Sequence, residues 1–231
     1  MQHSALYRFM DAQLKTLPSW LDVITFDTEV AQDAKPEDVV FVHVGGGNGS
    51  QCAVLKQRFP TLRGRIILQD RPAVLESALE VEGLEIMSHD LLTEQPVKCK
   101  KAPGLQTHSV LILLDARAYY FHQVLHRYDD DTCIQILQMH LPALYNSPLS
   151  RLYIDERVLP NEQSDVDAPS SEDNAALSLT TTAGSGAQER KEGKWRWLLD
   201  QAGMEVVEIR KFSELGDSVI IAKRRYQDQW R

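Results

Sequence analysis

The sequence has few of the residues that build disulfide frameworks or metal sites. Its 231 residues include three cysteines, Cys52, Cys99 and Cys133, which are odd in number and widely separated. Paired or closely spaced cysteines would be needed for a disulfide scaffold or a zinc motif. The seven histidines also lack metal-ligand spacing. We therefore predict a reducing compartment and no metal site.

Long apolar runs and clustered positive charges are also missing. No apolar stretch approaches the roughly 20 residues that cross a bilayer. The first residues, MQHSALYRFMDAQ, lack the charged-then-apolar order of a signal peptide. The net charge is −8, whereas binding to a phosphate backbone needs clustered lysine and arginine. These absences argue against a membrane span and a nucleic-acid partner, and we expect a cytoplasmic protein.

Short apolar runs alternate with helical patterns along most of the chain. Strands are predicted at 39–44, 65–69, 84–87, 151–154, 205–209 and 218–222, with a further strand at either 110–114 or 118–125. Helices are predicted at 50–59, 72–82, 130–145 and 193–202, the third capped by Asp130. This alternation predicts an α/β, Rossmann-like fold: a mostly parallel, doubly wound sheet with helices on both faces. The last two strands should form an antiparallel edge.

The chain divides into an N-terminal segment and one larger domain. Residues 1–24 carry apolar side chains at helical spacing, and the polar stretch 27–38 is predicted to be a connector. We therefore assign 1–36 to an N-terminal helix and connector, and 37–231 to the domain. An exposed apolar stripe on the helix would suit a protein partner or a second copy of the chain.

A glycine-rich stretch, FVHVGGGNGSQ, follows the first predicted strand. Gly45, Gly46, Gly47 and Gly49 would let a ligand approach the backbone and the amides at a helix N-terminus. In open α/β sheets, ligands bind beyond the carboxyl ends of the strands. The spacing matches neither a phosphate-binding loop nor a dinucleotide fingerprint, so a purely structural turn is the alternative.

Two carboxylates follow the next two predicted strands. Asp70 is placed to bind ribose hydroxyls, and Asp90 to accept a hydrogen bond from an adenine amino group. Each has an ordinary alternative role, as a helix cap or a turn residue. Together with the glycines they indicate an adenosine-containing ligand.

Six strings, in order along the chain, resemble those of a known family. The similarity is to fungal class I S-adenosylmethionine-dependent O-methyltransferases of the caffeate and flavonoid type, and it concerns their C-terminal catalytic domain, without the N-terminal dimerisation domain. The strings are VFVHVGGGNGSQ, GRIILQDRPAVL, MSHDLLTEQPVK, ARAYYFHQVLHRYDDDTCIQIL, SRLYIDERVLP and QERKEGKWRWLLDQAGMEVVEI. The resemblance implies a Rossmann-like methyltransferase fold, S-adenosylmethionine as cofactor, and methyl transfer to a hydroxyl of an aromatic or polyketide-type small molecule.

The resemblance also implies roles for individual residues. His126, in VLHRYDD, matches the general base, and Glu156 and Glu189 match two carboxylates that flank it. The cofactor-binding positions are His43, Gly45, Gly46, Gly47, Gly49, Asp70, Arg71, Asp90 and Leu91.

Some positions differ from the family pattern and keep other functions open. His43 stands where the family has an acidic residue that helps to hold the methionine ammonium, and Arg127 and Tyr128 replace an aspartate and a tryptophan after the base. The segment 99–115 has no counterpart. One alternative is a methyltransferase-like cyclase, isomerase or pericyclase of secondary metabolism that no longer transfers methyl groups. The other is a non-catalytic partner subunit.

Overall fold

The computed structural model describes residues 18–98, 116–145, 148–161 and 188–225. The predicted apolar stripe before residue 18, the segment 99–115 and the alternative strand at 110–114 lie outside these residues. Within them, the fourth strand falls in the second of the two candidate stretches, at Ala118–His122.

One sheet organises the described residues. Its strands are β1 (Val39–Val44), β2 (Arg65–Asp70), β3 (Leu84–Ser88), β4 (Ala118–His122), β5 (Arg151–Leu159), β6 (Arg190–Lys191), β7 (Met204–Lys211) and β8 (Asp217–Arg224). The order is β3-β2-β1-β4-β5-β8-β7, with β6 paired to β5. Strands β1 to β5 pair in parallel, whereas β8 is antiparallel to both β5 and β7. The Rossmann-like, mostly parallel sheet with an antiparallel edge is confirmed.

The helices differ from the predictions mainly in length. They are α1 (Phe26–Glu29), α2 (Ser50–Arg58), α3 (Pro72–Leu75), α4 (Asp130–His140) and α5 (Glu192–Gln201). The helix predicted at 72–82 ends at Leu75. The chain beyond it contacts the glycine turn instead, because the Leu79 amide donates a hydrogen bond to the Asn48 carbonyl. The helix predicted at 130–145 ends at His140 and continues as a 3-10 helix, Leu141–Leu144. Pro142 explains this end, since it has no N–H for an α-helical bond.

The cap of α4 was predicted one residue too late. Asp129, not Asp130, is the N-cap, and its carboxylate accepts a hydrogen bond from the Thr132 amide at 2.7 Å. Asp130 instead forms ion pairs with Arg190 and Lys194.

The described part of the N-terminal segment packs against the sheet. Trp20–Asp22 is a 3-10 turn rather than an α-helix, and the stretch predicted as a connector contains α1. The Trp20 ring is fully buried against Phe41 and Tyr120, with ring centroids 5.8 and 4.5 Å away. Residues 20–34 therefore help to cover one face of the sheet.

Apolar side chains cover both faces of the sheet, and all six residues of β1 are buried. One face packs against α4 and α5, where Trp195 is fully buried. The other face packs against α2 and the Trp20 segment. A strand buried on both faces has a nearly continuous apolar sequence, as β1 does apart from His43, and it fixes the position of the turn that follows it.

Candidate adenosyl-binding cleft and His126 site

A cleft of about 540 Å³ opens beyond the carboxyl ends of β1 to β4. It is lined by all but one of the nine residues that the resemblance assigns to the cofactor: His43, Gly45, Gly46, Gly47, Asp70, Arg71, Asp90 and Leu91. The exception is Gly49, the N-cap of α2, which has a φ of +83°. A Cβ at Gly49 would lie 3.0 Å from a methyl carbon of Leu68, so the absence of a side chain lets the turn pack closely against Leu68.

The glycine turn needs glycine for two different reasons. Gly45 and Gly47 have φ values of +63° and +60°, in the left-handed region that disfavours side chains. Gly46 has ordinary φ, but a Cβ there would lie 2.5 Å from Cγ and Nδ1 of His43. The turn therefore sits directly on the His43 ring.

Asp70 holds this turn in place. One of its carboxylate oxygens accepts a hydrogen bond from the Gly47 amide at 2.8 Å, and the other accepts one from the Arg71 amide at 2.7 Å. Asp70 is not the cap of α3, whose N-cap residue is Arg71. Asp90 accepts from the Leu92 amide at 3.0 Å in a turn after β3. Each carboxylate oxygen has a second lone pair, so both aspartates can also accept hydrogen bonds from a ligand.

His43 is a buried, neutral imidazole. Its residue surface is 2% exposed, and burial lowers its pKa to about 3. Its Nδ1 lies 3.7 Å from the Cys52 thiol, and Nε2 has no hydrogen-bond partner among the described residues. The side chain therefore contributes no charge to the cleft near neutral pH.

His126 is paired with Glu156 at the edge of the cleft. The imidazole Nδ1 lies 2.9 Å from one oxygen of the buried Glu156 carboxylate. The other oxygen accepts hydrogen bonds from the amides of Leu125 at 2.8 Å and His126 at 3.3 Å. Because Nδ1 faces an anion, that nitrogen carries the proton and Nε2 is left to accept one. His126 does not line the cleft, but its neighbours Arg127 and Tyr128 do.

Glu189 does not form the second contact that the resemblance implies. Its carboxylate pairs with Arg157 at 3.0 Å, and no hydrogen bond joins it to His126 among the described residues. The preceding residue makes the connection instead, because the Gln188 amide donates to the His126 carbonyl at 2.7 Å.

The sequence did not identify Arg190, whose side chain forms hydrogen bonds to the turn that carries His126. This arginine is 4% exposed, and its guanidinium donates to the carbonyls of Leu125 at 3.1 Å and Tyr128 at 2.6 Å. Its Nε also donates to Asp130 at 3.0 Å. The turn is thus held from both sides, its amides by Glu156 and its carbonyls by Arg190. A single arginine in a polar stretch gives no sequence signal for such a contact.

A second histidine–carboxylate pair was also missed. Asp155, 2% exposed, accepts a hydrogen bond from the Tyr120 hydroxyl at 2.6 Å, and its Oδ2 lies 2.9 Å from Nδ1 of His122. His122 ends β4 and lines the cleft. Burial and the nearby Asp155 charge raise the pKa of Tyr120 well above its ordinary value, so its hydroxyl stays protonated. The signal was the position of His122 at a strand end, where ligands bind.

Two negative findings apply to the described ranges. They contain no group of three or more His, Cys, Asp or Glu side chains arranged to hold a metal ion. No helix in them is long and apolar enough to cross a membrane.

Comparison with known proteins agrees with this fold and cleft. Residues 37–205 match the model of the O-methyltransferase domain. The chain belongs to this O-methyltransferase family.

Two curated relatives are fungal O-methyltransferases. The 16-O-methyltransferase bsc6 of Alternaria brassicicola is 35% identical over 95% of this chain and 49% of the relative. The demethylsterigmatocystin 6-O-methyltransferase stcP of Emericella nidulans is 33% identical over 82% of this chain and 81% of the relative. Apart from stcP, the chain spans about half the length of the first curated relatives that it matches.

Solved structures give the same assignment of the fold. LepI in complex with SAM superposes with a TM-score of 0.72 at 26% identity, over 90% of this chain and 49% of LepI. OxaC in complex with SAH and oxaline superposes with a TM-score of 0.70 at 26% identity, over 89% of this chain and 47% of OxaC. A further solved structure, with a TM-score of 0.72 at 26% identity over 90% of this chain and 49% of its own, is described as a pericyclic reaction enzyme.

Proposed function

We propose that this protein is an S-adenosylmethionine-dependent O-methyltransferase that acts on a hydroxyl of an aromatic or polyketide-type small molecule in secondary metabolism. The observation that carries the proposal is the His126–Glu156 pair, in which Nδ1 faces a buried carboxylate at the edge of the cleft. Membership of the O-methyltransferase family and the fungal relatives support the same reaction class.

The cleft suits an adenosyl cofactor. Its volume of about 540 Å³ falls in the usual range for small-molecule sites. A Cβ at Gly47 would meet nothing within 4 Å, so the backbone there is open to a ligand. Asp70 and Asp90 follow adjacent strands and offer acceptors for ribose hydroxyls and an adenine amino group. When bound, the cofactor would supply an electrophilic methyl group on a sulfonium centre.

The chain's own residues would position the acceptor hydroxyl and remove its proton. Nε2 of His126 accepts that proton, and Glu156 then stabilises the imidazolium through Nδ1. The buried carboxylate also fixes the ring orientation, since it binds the Leu125 and His126 amides as well. Such fixed geometry is the main source of rate in a displacement between two bound groups.

Replacement of His126 tests the proposed base. His126→Ala should lower kcat by about 10² to 10⁴-fold while the affinity for S-adenosylhomocysteine stays unchanged, because the imidazole lies outside the cleft lining. Candidate phenols can be screened with labelled methyl donor, and binding followed by calorimetry. Glu156→Gln, which keeps an acceptor for the Leu125 amide, should lower kcat by at least about tenfold. Unchanged turnover in His126→Ala would remove this residue from the mechanism.

A second candidate function is a rearrangement without methyl transfer, as a cyclase, isomerase or pericyclase. It is favoured by the similarity to LepI, which has been solved in complex with SAM, and to a solved structure that is described as a pericyclic reaction enzyme. Arg127, exposed at the cleft beside His126, would suit the polarisation of a substrate carbonyl. Binding of S-adenosylmethionine without methyl transfer to any hydroxyl acceptor, together with isomerisation of a polyketide-type substrate, would favour this candidate.

A further inference from the structure

Charged side chains are distributed unequally along the cleft. Its carboxylates are Asp70, the last residue of β2, and Asp90, which follows β3. The half beyond β1 and β4 is lined instead by His43, His122 and Arg127. Among the described residues that line the cleft, none in this second half carries a carboxylate. The two halves therefore favour different chemical groups on a ligand.

The groups below this second half supply no free negative charge. His43 is neutral, and its neighbour Cys52 is a protonated thiol, because burial raises the pKa of Cys52 to about 12. The buried carboxylate of Asp155 is engaged by Tyr120 and His122 and does not line the cleft. An ammonium group placed here would lose water without gaining a counter-ion, which is unfavourable.

Arg127 is available to bind an anion. Its guanidinium has no hydrogen-bond or ion-pair partner in the described part of the chain, and the residue is exposed at the cleft. Guanidinium groups bind carboxylates through two parallel hydrogen bonds. His122 lines the same half, but its Nδ1 donates to Asp155, so its Nε2 is an acceptor and the carboxylate is left to Arg127.

The orientation of the ligand follows from the position of the proposed base, and this step rests on the proposed function. His126 follows β4 by four residues, so a methyl group must face the β4 side of the cleft. Adenosine would then lie over β2 and β3, next to Asp70 and Asp90. The amino-acid tail of the cofactor would lie over β1 and β4.

We propose that this cleft recognises the amino-acid tail of its adenosyl ligand through the α-carboxylate, with Arg127, and provides no counter-charge for the α-ammonium group. A ligand without the ammonium group should therefore bind better than a ligand without the carboxylate.

Calorimetry with three ligands tests this selectivity: S-adenosylhomocysteine, its deaminated analogue and its decarboxylated analogue. We expect loss of the carboxylate to weaken binding about tenfold or more, because a charge-assisted hydrogen bond is lost. Loss of the ammonium group should weaken binding less than loss of the carboxylate, because no charged partner faces it. A larger loss from deamination than from decarboxylation would overturn the inference while leaving adenosyl binding intact. No measurable binding of any of the three ligands would overturn the proposed cofactor as well.

Arg127→Gln and Arg71→Gln form a matched pair in the same cleft. Arg127→Gln should weaken S-adenosylhomocysteine and the deaminated analogue about tenfold, yet leave the decarboxylated analogue unchanged. Arg71 lies at the adenosine half, so Arg71→Gln should leave the ratio among the three ligands as it is in the native protein. Equal weakening of all three ligands by Arg127→Gln would contradict carboxylate recognition by this side chain.

Discussion

Arg190 shows how much a single side chain can position at this site. It is buried, and its guanidinium binds the Leu125 and Tyr128 carbonyls on either side of His126. The ring of Trp195 also packs against it, with the guanidinium carbon 5.5 Å from the ring centroid. We infer that Arg190 acts on catalysis through His126, as a positioning residue.

The substitution Arg190→Lys tests this role, because lysine keeps the charge but cannot bind both carbonyls in a fixed geometry. We expect kcat to fall about tenfold or more, with little change in KM for the methyl donor and a displaced pH profile of kcat. Arg196→Lys is the control, since the partner of Arg196 among the described residues is Glu192, on the surface of α5. A fall in kcat that merely matches the loss of folded protein would mean that Arg190 is structural.

The turn between β1 and α2 shows how one element shapes the cleft through packing. Gly46 lies on the His43 ring, whereas Gly47 is open to the cleft. Gly46→Ala should destabilise the protein by about 1–3 kcal/mol, because an extra methyl group is forced into a packed site. The cost should be smaller in a His43→Ala background, where only the contact with a methyl carbon of Leu68, 2.6 Å from such a Cβ, remains. Chemical denaturation of the single and double variants measures this coupling.

Gly47→Ala separates packing from backbone conformation. Gly47 has a φ of +60°, which costs an L-residue about 1–2 kcal/mol, but a Cβ there would meet no neighbour. Its cost should therefore be the same with and without His43. If Gly47→Ala and His43→Ala were coupled as strongly as Gly46→Ala and His43→Ala are expected to be, contact with the His43 ring would not be the cause of the coupling.

The elements that the sequence predicts well are those determined by local pattern. Strand β1 is a run of apolar residues, and α5 has helical spacing with Gly203 behind it. The end of α3 was wrong because it depends on a contact to Asn48, far along the chain. Similarly, the residues that line the cleft could be predicted because they lie at the ends of strands. The pairing of Glu189 with Arg157 and the hydrogen bond from Arg190 to the Leu125 carbonyl are long-range contacts. No local pattern contains them.

At the scale of the whole molecule, buried neutral histidines make stability depend on pH. Burial lowers the pKa of His43 to about 3 and that of His140 to about 4. His140 donates through Nδ1 to the Ile136 carbonyl and is linked through Gln95 to Gln69 below the cleft. In the unfolded chain both imidazoles titrate near pH 6.5, so below that pH the unfolded state binds more protons than the folded state.

The free energy of unfolding should therefore fall as the pH drops from about 6.5 towards 4, by up to about 1.4 kcal/mol per pH unit for each histidine. Urea unfolding at pH 7, 6, 5 and 4.5 gives this slope. His43→Gln stays neutral throughout, so its slope should be shallower than that of the native protein. Identical slopes would show that His43 is not held neutral by the fold.

Consecutive positions of β5 serve two different histidines. Side chains alternate between the faces of a strand, and Asp155 pairs with His122 while Glu156 pairs with His126. Strand β5 lies between β4, to which it is parallel, and β8, to which it is antiparallel. The pairing with β8 extends as far as Arg157. Slippage of this strand by one residue would put one carboxylate in the place of the other and bring Ile154 or Arg157 to the remaining histidine. The register of β5 thus sets the protonation geometry of His122 and His126 at once.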